Sequence, residues 1–421
     1  MLEPHRAAII DALRQHLAGE EGARVVSSLL RRHRDWNAAE RSAAAEAVWG
    51  VGLWRLRLAY QAEVGLSPAP SVDLAARLLF ALIHGLGGLG AEIAARCSGL
   101  PAPFILRPPP EDWPTRLSYP PALAALLQDE LGDEAELFAE AVNAPGPVFV
   151  RANTLRIDRE TLARRLFSEE GIESEETRYA PCGLRLLGRP NIYGSPIYRE
   201  GLFEVQDEGS QLLGGLVQAQ PGETVLDLCA GAGGKTLLLA AAMQNRGTLY
   251  AYDLDRARLE RLRLRAERAG VRNLKILLAP PGGAAAPIRA DKVLVDAPCS
   301  SLGALRRGPD HRFRLNPAEW SKLPAEQGAI LDRASEQTAP GGLLVYATCT
   351  IRRAENEEVA DNFLARHSDF SGVNPSGAEL LPPGKDAKRG IGFFRALPHR
   401  HGTDGFFAAL WRRGGSHPPQ S

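Results

Sequence analysis

From residue 224 onward the chain repeats one pattern that few folds can satisfy: a short apolar run, a turn, a helix-length segment and another apolar run. The runs lie in TVLDLCAGAGGKTLLLAAAM (224–243), GTLYAYDLD (247–255), DKVLVDAPC (291–299), GGLLVYATC (341–349) and GFFAALWRR (405–413). Parallel strands need long crossover connections, and helices supply them, so strands alternating with helices over about 200 residues predict a parallel α/β sheet. In such a sheet ligands gather outside the carboxyl ends of the strands, and the residues that end each strand are the first candidates for function.

The preceding half of the chain reads differently. Apolar positions in segments 6–17, 24–31 and 38–60 recur at three and four residues, which is helical spacing, so residues 1 to about 100 form an all-helical unit. The stretch from Pro101 to Pro121 holds eight prolines and reads as a linker between two folding units. Helical periodicity returns at 122–143, PVFVRANTL (147–155) alternates as a strand, and RETLARRLFSEEG (159–171) is helix-like, which suggests a small α+β module ending near 205. The expected domains are therefore 1–120, 121–205 and 206–413, with a polar tail at 414–421 containing Pro418 and Pro419.

Composition excludes several classes. No apolar run reaches the roughly 18 residues of a membrane helix, and the first residues, with Glu3 and His5, lack the basic and apolar order of a secretory signal. The five cysteines (Cys97, Cys182, Cys229, Cys299, Cys349) are odd in number and none forms a C-x-x-C pair, so neither a disulfide framework nor a metal site is expected, and the reducing cytoplasm is the expected location. Fifty basic residues balance fifty acidic ones, so a nucleic-acid partner has to be argued from local charge. Only six of the basic residues are Lys, a bias that codon composition explains as readily as phosphate recognition does.

Four strand ends carry chemistry. Asp227 to Lys235 places Gly231, Gly233 and Gly234 between strand and helix, where missing side chains let a ligand approach the backbone and the helix N-terminus. The next strand ends in Asp253, 22 residues beyond Gly231, at a separation suited to a carboxylate that binds a ribose diol. Dinucleotide and S-adenosylmethionine sites share this pattern, and tight packing alone also produces it. The third and fourth ends are Asp296-Ala297-Pro298-Cys299 and Thr348-Cys349. A buried cysteine is usually a small hydrophobe, but a hydride-transfer enzyme has no use for two thiols and a carboxylate beside an adenosyl site. Methyl transfer to a pyrimidine has. Carbon 5 is too poor a nucleophile until a thiolate adds at carbon 6, and a second group must then remove the carbon-5 proton so that the thiolate can leave. A carboxyl group at ring nitrogen 3 stabilises the charge of the adduct. Cys229 reads as packing or backbone contact to the ligand, and Cys97 and Cys182 as structural.

On these residues the chain resembles the Nop/Sun RNA cytosine-carbon-5 methyltransferases, and within them the bacterial Fmu/Sun (RsmB-type) small-subunit rRNA branch. FEVQDEGSQL (203–212), LDLCAGAGGKT (226–236), DAPCSSLGALRRGPD (296–310), YATCTIRRAENEEV (346–359) and DGFF (404–407) match the family's motifs in order. AAERSAAAEAVWGVGLWRLRL (38–58) is similar to its NusB-like helical domain, and 118–156 to the lead into its small RNA-binding module. The resemblance implies a Rossmann-like methyltransferase domain, S-adenosylmethionine as cofactor, small-subunit rRNA as partner and a monomer. It makes Cys349 the nucleophile and Cys299 the group that assists proton removal; DNA cytosine methyltransferases use the Pro-Cys thiol instead, so the reversed assignment stays open. Asp296 would bind the cytosine edge near the methyl donor and Asp253 the ribose. Cys229, Ala230, Gly231, Ala232, Gly233, Gly234 and Lys235 would wrap the methionine portion, with Lys235 also facing the catalytic centre.

Several positions depart from the family. Ala230-Gly231-Ala232 stands where Ala-Ala-Pro is commoner, Ser301 replaces a frequent Gly and Thr350 a frequent Ser. The family's third strand usually ends in an Asp that contacts adenine; here Ala279, Pro280 and Pro281 follow the strand and no carboxylate occurs before Asp291, which predicts weaker cofactor binding. Arg306, Arg307, Arg312 and Arg314 follow the Pro-Cys loop with only Asp310 opposing them and are the expected RNA contacts, while the Arg-rich segment 256–272, interleaved with Glu260 and Glu267, reads mostly as a solvated face. A base inside a duplex cannot reach a buried thiol, so the target has to be single-stranded or flipped. Two other functions remain open on the same residues: a non-catalytic rRNA-binding or assembly factor that has lost the cofactor, and the same chemistry on tRNA.

Overall fold

The computed structural model describes residues 3–87, 90–101, 104–188, 190–279, 288–375 and 393–415. The chain forms two compact units, one of residues 1–145 with 305–316 and one of 146–304 with 317–421.

The first unit is helical. Helices Arg6–Leu17, Gly22–Arg32, Ala38–Gln61, Val72–Gly85 and Ala91–Ser98 enclose a core of Ile9, Leu13, Leu29, Val48, Val51, Leu58, Leu78, Leu79 and Phe80. The long helix starts at a reciprocal cap, with Asn37 Oδ1 accepting from Glu40 N (3.0 Å) and Glu40 Oε2 accepting from Asn37 N (2.8 Å). The proline-rich stretch is not a free linker. Phe104 and Leu106 pack on the helical core, Phe104 meets Phe80 edge-on, and Arg107 N donates to Gln61 O (2.8 Å). Proline prevents a helix there without preventing an extended chain from docking. Helices Pro121–Leu131 and Ala135–Asn143, expected in the α+β module, belong to this unit as well.

Segment 305–316 completes the first unit although the 159 residues 146–304 separate it in sequence from Pro145. Helix Gly22–Arg32 has no side-chain cap from its own N-terminal flank; instead Gly22 N donates to Asp310 Oδ2 at 3.1 Å, placing a carboxylate at the positive end of the helix dipole. Arg55 lies over the Phe313 ring at 4.2 Å from its centroid. Arg312 stacks on Tyr119 at 4.1 Å and donates to Asn143 Oδ1 (2.7 Å) and Pro309 O (2.9 Å).

The second unit opens with a small antiparallel sheet of β1 (Val148–Ala152), β2 (Ser174–Glu176), β3 (Gly183–Leu186) and β4 (Phe203–Val205), in the order β2-β3-β1-β4, with helix Arg159–Glu170 packed on it. The large sheet contains β5 (Thr224–Asp227), β6 (Thr248–Asp253), β7 (Leu274–Leu278), β8 (Ala290–Asp296), β9 (Thr338–Thr348), β10 (Phe370–Gly372), β11 (Phe394–Ala396) and β12 (Phe406–Arg413). Its order is β10-β12-β9-β8-β5-β6-β7, with β11 added beside β12. The strands β5 to β9 are parallel, as the alternation predicts, while β12 runs antiparallel to β9. Order reverses at β5, whose neighbours are β6 and β8, so the carboxyl ends of these three strands frame the crevice where a ligand binds. Both faces of the sheet are covered, with Leu226, Val293, Val295, Tyr346 and Trp411 in one apolar layer and Val225, Leu249, Leu294, Val345 and Leu410 in the other.

Helix Arg256–Ala269 is only partly a solvated face. Arg263 pairs with Glu260 and Glu267 at the surface, but Arg265 and Arg268 both reach the buried Glu204 of β4, and Arg265 Nη1 donates to Ala232 O at 2.6 Å. The small sheet is further tied to this helix by Asn153 Nδ2, which donates to Gly201 O and Ala269 O, each at 2.8 Å.

Replacing Arg312 by Ala removes a buried stacked guanidinium and its hydrogen bonds, so Arg312→Ala is expected to lower unfolding stability by about 2–4 kcal/mol in urea titrations. Arg307→Ala, at an exposed site, stays within about 0.5 kcal/mol of the parent.

Candidate active site

The site is assembled from the carboxyl ends of β5, β6, β8 and β9. After Asp227 the chain turns through 228–233 into helix Gly234–Ala242. Gly233 (φ +87°) cannot be replaced without damage, because a Cβ there would also lie 2.1 Å from Leu262 Cδ1. The turn is fastened to β6: Ala230 N donates to Tyr252 O (3.0 Å) and Gly231 N to Asp253 Oδ2 (2.8 Å), while Asp253 Oδ1 accepts from Asp255 N (2.8 Å). Each Asp253 oxygen keeps a second lone pair, so the carboxylate can hold the turn and still accept from a diol.

A cleft of about 730 Å³ runs from Asp253 past the glycine turn to Cys299 and Cys349. Asp227, Cys229, Ala230, Gly231, Ala232, Gly234, Lys235, Asp253, Asp296, Cys299 and Cys349 all line it; Gly233 underlies the turn without reaching the wall. Its size suits a nucleoside-sized ligand. Arg258, exposed, and Arg333, half-buried, also line it and escaped the sequence reading, because an apolar helical pattern identifies only the packed stripe and not which polar residues border a cleft. Ala279 is buried in the apolar layer below, with its N–H donating to Asp253 O (2.9 Å), and offers no acceptor; Pro280 and Pro281 lie outside the described residues.

Charge is concentrated at the inner end. Lys235 Nζ donates to Asp296 Oδ2 at 2.7 Å, and although burial works against the ammonium, the adjacent carboxylate outweighs it and holds the pKa of Lys235 above its ordinary value. Asp227 accepts from Thr236 Oγ1 at 2.7 Å with one carboxylate oxygen and leaves the other unpaired; burial pushes its pKa up to about 7. Burial likewise pushes the Cys229 thiol up, so it stays protonated, in keeping with packing or backbone contact.

Cys299 Sγ and Cys349 Sγ lie 3.4 Å apart, both as free thiols. Asp296 of β8 is level with Ala347 of β9, so two loops of similar length carry the sulfurs to the same height above the sheet. One buried carboxylate holds these loops. Glu355 Oε2 accepts from Ser300 N (2.9 Å) and from Gln327 Nε2 (3.0 Å), which also donates to Pro298 O (2.9 Å); Glu355 Oε1 accepts from Arg352 Nη1 (2.9 Å). Ser300 Oγ and Thr350 Oγ1 are 2.7 Å apart and join the loops directly. Gly303 N donates to Cys349 O (3.0 Å) and Gly303 O accepts from Gly405 N (2.8 Å), an approach that a Cβ on Gly303 would block at 2.2 Å from Gly405 O. Glu355 stands inside the matched AENEE run but was assigned no role, because nothing in sequence distinguishes it from the glutamates beside it.

The two thiols titrate as a pair. The hydrogen bond from Cys299 lowers the pKa of Cys349 despite burial, and the nearby Ser301 hydroxyl and Lys235 charge act in the same direction; the same bond, with burial, raises Cys299 well above its ordinary value. Cys349 is thus the sulfur that ionises first. Of the arginines expected to meet RNA, Arg307 is exposed, whereas Arg306 and Arg312 are buried and Arg314 pairs with Asp310 at 3.0 Å. Arg312 is committed to Tyr119 and Asn143 within the helical unit instead of presenting its guanidinium to solvent. Among the described residues no cluster of His, Cys, Asp or Glu could hold a metal ion, and no helix is long and apolar enough to cross a membrane.

A sheet of this order, with a glycine turn after its central strand and an acidic end on the next, defines a Rossmann-like S-adenosylmethionine-dependent methyltransferase domain. Residues 215–412 match the family model of the 16S rRNA methyltransferase RsmB/F, and residues 119–193 match the ferredoxin-like domain model of the same group. A probable ribosomal RNA small subunit methyltransferase B of Bacillus subtilis is 31% identical over 376 residues, covering 87% of this chain and 83% of the relative. A second, from Synechocystis, is 35% identical over 297 residues, 69% of this chain and 66% of the relative. The solved structure of PH0851 superposes with a TM-score of 0.76 at 29% identity over 98% of this chain and 99% of its own. The chain belongs to the RsmB/F family of rRNA small-subunit methyltransferases, whose cofactor is S-adenosylmethionine.

Asp227 binds its proton more tightly folded, at about 7, than unfolded, near 3.9. Its contribution to stability is therefore complete below about pH 4 and is lost as pH rises to about 7. Asp227→Asn is expected to flatten that part of the pH dependence of the thermal midpoint and to gain on the parent above neutrality; parallel curves would refute the assignment.

Proposed function

We propose that the protein methylates carbon 5 of a cytosine in small-subunit rRNA through a covalent bond between Cys349 and carbon 6 of the base. The observation that carries this reading is the 3.4 Å approach of two thiols of opposite pKa displacement at the inner end of the cofactor cleft. Cys349, as thiolate, adds to carbon 6, and the electron pair of the 5,6 double bond passes into the ring toward nitrogen 3. Asp296 binds the base edge, and the Lys235 ammonium that it holds at that edge offsets the charge building at nitrogen 3. Bound S-adenosylmethionine supplies an electrophilic methyl group, which carbon 5 can then accept.

The shared ionisation also accounts for the second half of the cycle. While Cys349 is a thiolate it keeps Cys299 protonated; once Cys349 is a thioether that negative neighbour is gone and Cys299 can ionise. After it has released its own proton to solvent, the Cys299 thiolate takes the carbon-5 proton, the 5,6 double bond re-forms, the carbon–sulfur bond breaks, and Cys349 leaves as a thiolate. Asp253 would hold the ribose and the 229–235 turn the methionine portion of the cofactor. Arg307, exposed and following the Pro-Cys loop in sequence, would meet RNA phosphate. The thiol pair, recessed at the inner end of the cleft, requires a base that is unstacked, and cytoplasmic, monomeric action on rRNA is part of the proposal.

The absence of an acceptor at Ala279 favours one alternative, a non-catalytic rRNA assembly factor that no longer binds the cofactor. Isothermal titration with S-adenosylmethionine separates the two: measurable binding, weakened relative to relatives with a carboxylate there, is expected of the enzyme, and none of the assembly factor. With unmodified rRNA and labelled methyl donor, Cys349→Ala is expected to give no product. Cys299→Ala is expected to trap a protein–RNA adduct that survives denaturing gels, because elimination stalls. Product from Cys349→Ala with an inert Cys299→Ala would reverse the two roles.

A further inference from the structure

Ser301 has the wrong backbone for its residue type. Its φ is +57°, and of the described non-glycine residues with positive φ it alone lines the cleft. L-residues avoid this region because Cβ crowds the backbone, and such strain persists where the surroundings impose it, often at functional sites. Here the imposed conformation does something specific with the side chain. Ser301 Oγ lies 3.4 Å from Cys349 Sγ and 4.0 Å from Cys299 Sγ, so a single hydroxyl faces both sulfurs but sits closer to Cys349. The same oxygen is 3.4 Å from Cys299 O, an acceptor for its proton when both sulfurs are protonated. The chain beyond is fixed by Ala304 N donating to Ser301 O (3.0 Å) and by the Gly303 contacts to Cys349 and Gly405.

Resting on the reading of Cys349 as nucleophile, we infer that Ser301 is a positioning residue: its hydroxyl turns from the Cys299 carbonyl to donate to the Cys349 thiolate, favouring that sulfur over Cys299 as the one that attacks. No bond is made or broken by Ser301; one hydrogen changes acceptor as Cys349 ionises and returns when it is alkylated. The other groups facing Cys349 are the Cys299 thiol from the same loop, the Asp296 carboxylate ending β8 and the Lys235 ammonium at the start of helix Gly234–Ala242. Asp296 opposes ionisation and Lys235 favours it, and the two charges are themselves paired, so a neutral donor tilts a nearly balanced field.

The test uses the full chain without RNA. The rate of iodoacetamide alkylation at Cys349, read by peptide mass mapping, is followed across neutral and alkaline pH for the parent, Ser301→Gly and Ser301→Ala. Glycine removes both hydroxyl and strain, whereas alanine removes the hydroxyl and keeps the strain. Both variants are expected to move the alkylation midpoint up by about one pH unit, the shift of a tenfold change in ionisation. Methyl transfer near neutrality should slow by about tenfold in both, with the deficit shrinking as pH rises, and Ser301→Gly should melt no lower than the parent. An unshifted midpoint in both variants overturns the inference, as does a shift in only one, which would tie the effect to backbone geometry. Methyl transfer surviving in Cys349→Ala would instead overturn the nucleophile assignment and leave the alkylation profiles untouched.

Discussion

Thiols on neighbouring strands drift apart unless their loops are held, and here the restraint is one buried carboxylate. Glu355 accepts from the Pro-Cys loop through Ser300, from Gln327 of the covering helix and from Arg352 of its own loop, so removing its charge would free both loops together. A carboxylate without water is tolerated only when its oxygens are filled by donors, and three hydrogen bonds meet that condition. The contacts at Ser300–Thr350 and Gly303–Gly405 then fix the remaining freedom. The distance between the sulfurs follows from this network and the level register of β8 and β9.

Holding the sulfurs at 3.4 Å makes their protons interdependent. Two thiolates at that separation in a buried site would repel strongly, so the pair takes one charge at a time, and surrounding groups decide where it rests. Lys235 and Ser301 favour Cys349. On the proposed mechanism the arrangement would give a nucleophile and a latent base from identical side chains, distinguished only by position, and attack by one would release the other. The Lys235–Asp296 pair beside them has a parallel logic, since the ammonium keeps the carboxylate oriented and the carboxylate keeps the ammonium charged where burial alone would discharge it.

The segment after the Pro-Cys loop shows how a charge pattern can mislead. Four arginines with one aspartate look like a phosphate-binding stretch, yet the residues from 305 to 316 complete the helical unit. Asp310 serves as the missing cap of helix Gly22–Arg32, and Arg312 spends its guanidinium on an aromatic ring and an amide. Arginine suits both phosphate and buried stacking because it is planar and weakly hydrated, so its residue type could not choose between them.

The alternation of apolar runs and helices by itself determined the parallel part of the α/β sheet, β5 to β9, because parallel neighbours need long helical crossovers, but not that the last long run, β12, joins it antiparallel. The residues ending those runs already marked the cofactor turn, Asp253, Asp296 and both thiols, since backbone geometry dictates that a strand's last residues face the crevice. Local pattern also identified the helical N-terminal region, though it took the prolines at 101–121 for a linker when Phe104 and Leu106 in fact dock on the core. Only tertiary structure decided which carboxylate organises the thiols, which sulfur ionises first, and which arginines are buried. Each of these depends on donors and charges brought together from distant parts of the chain, and a one-dimensional spacing holds no record of those meetings.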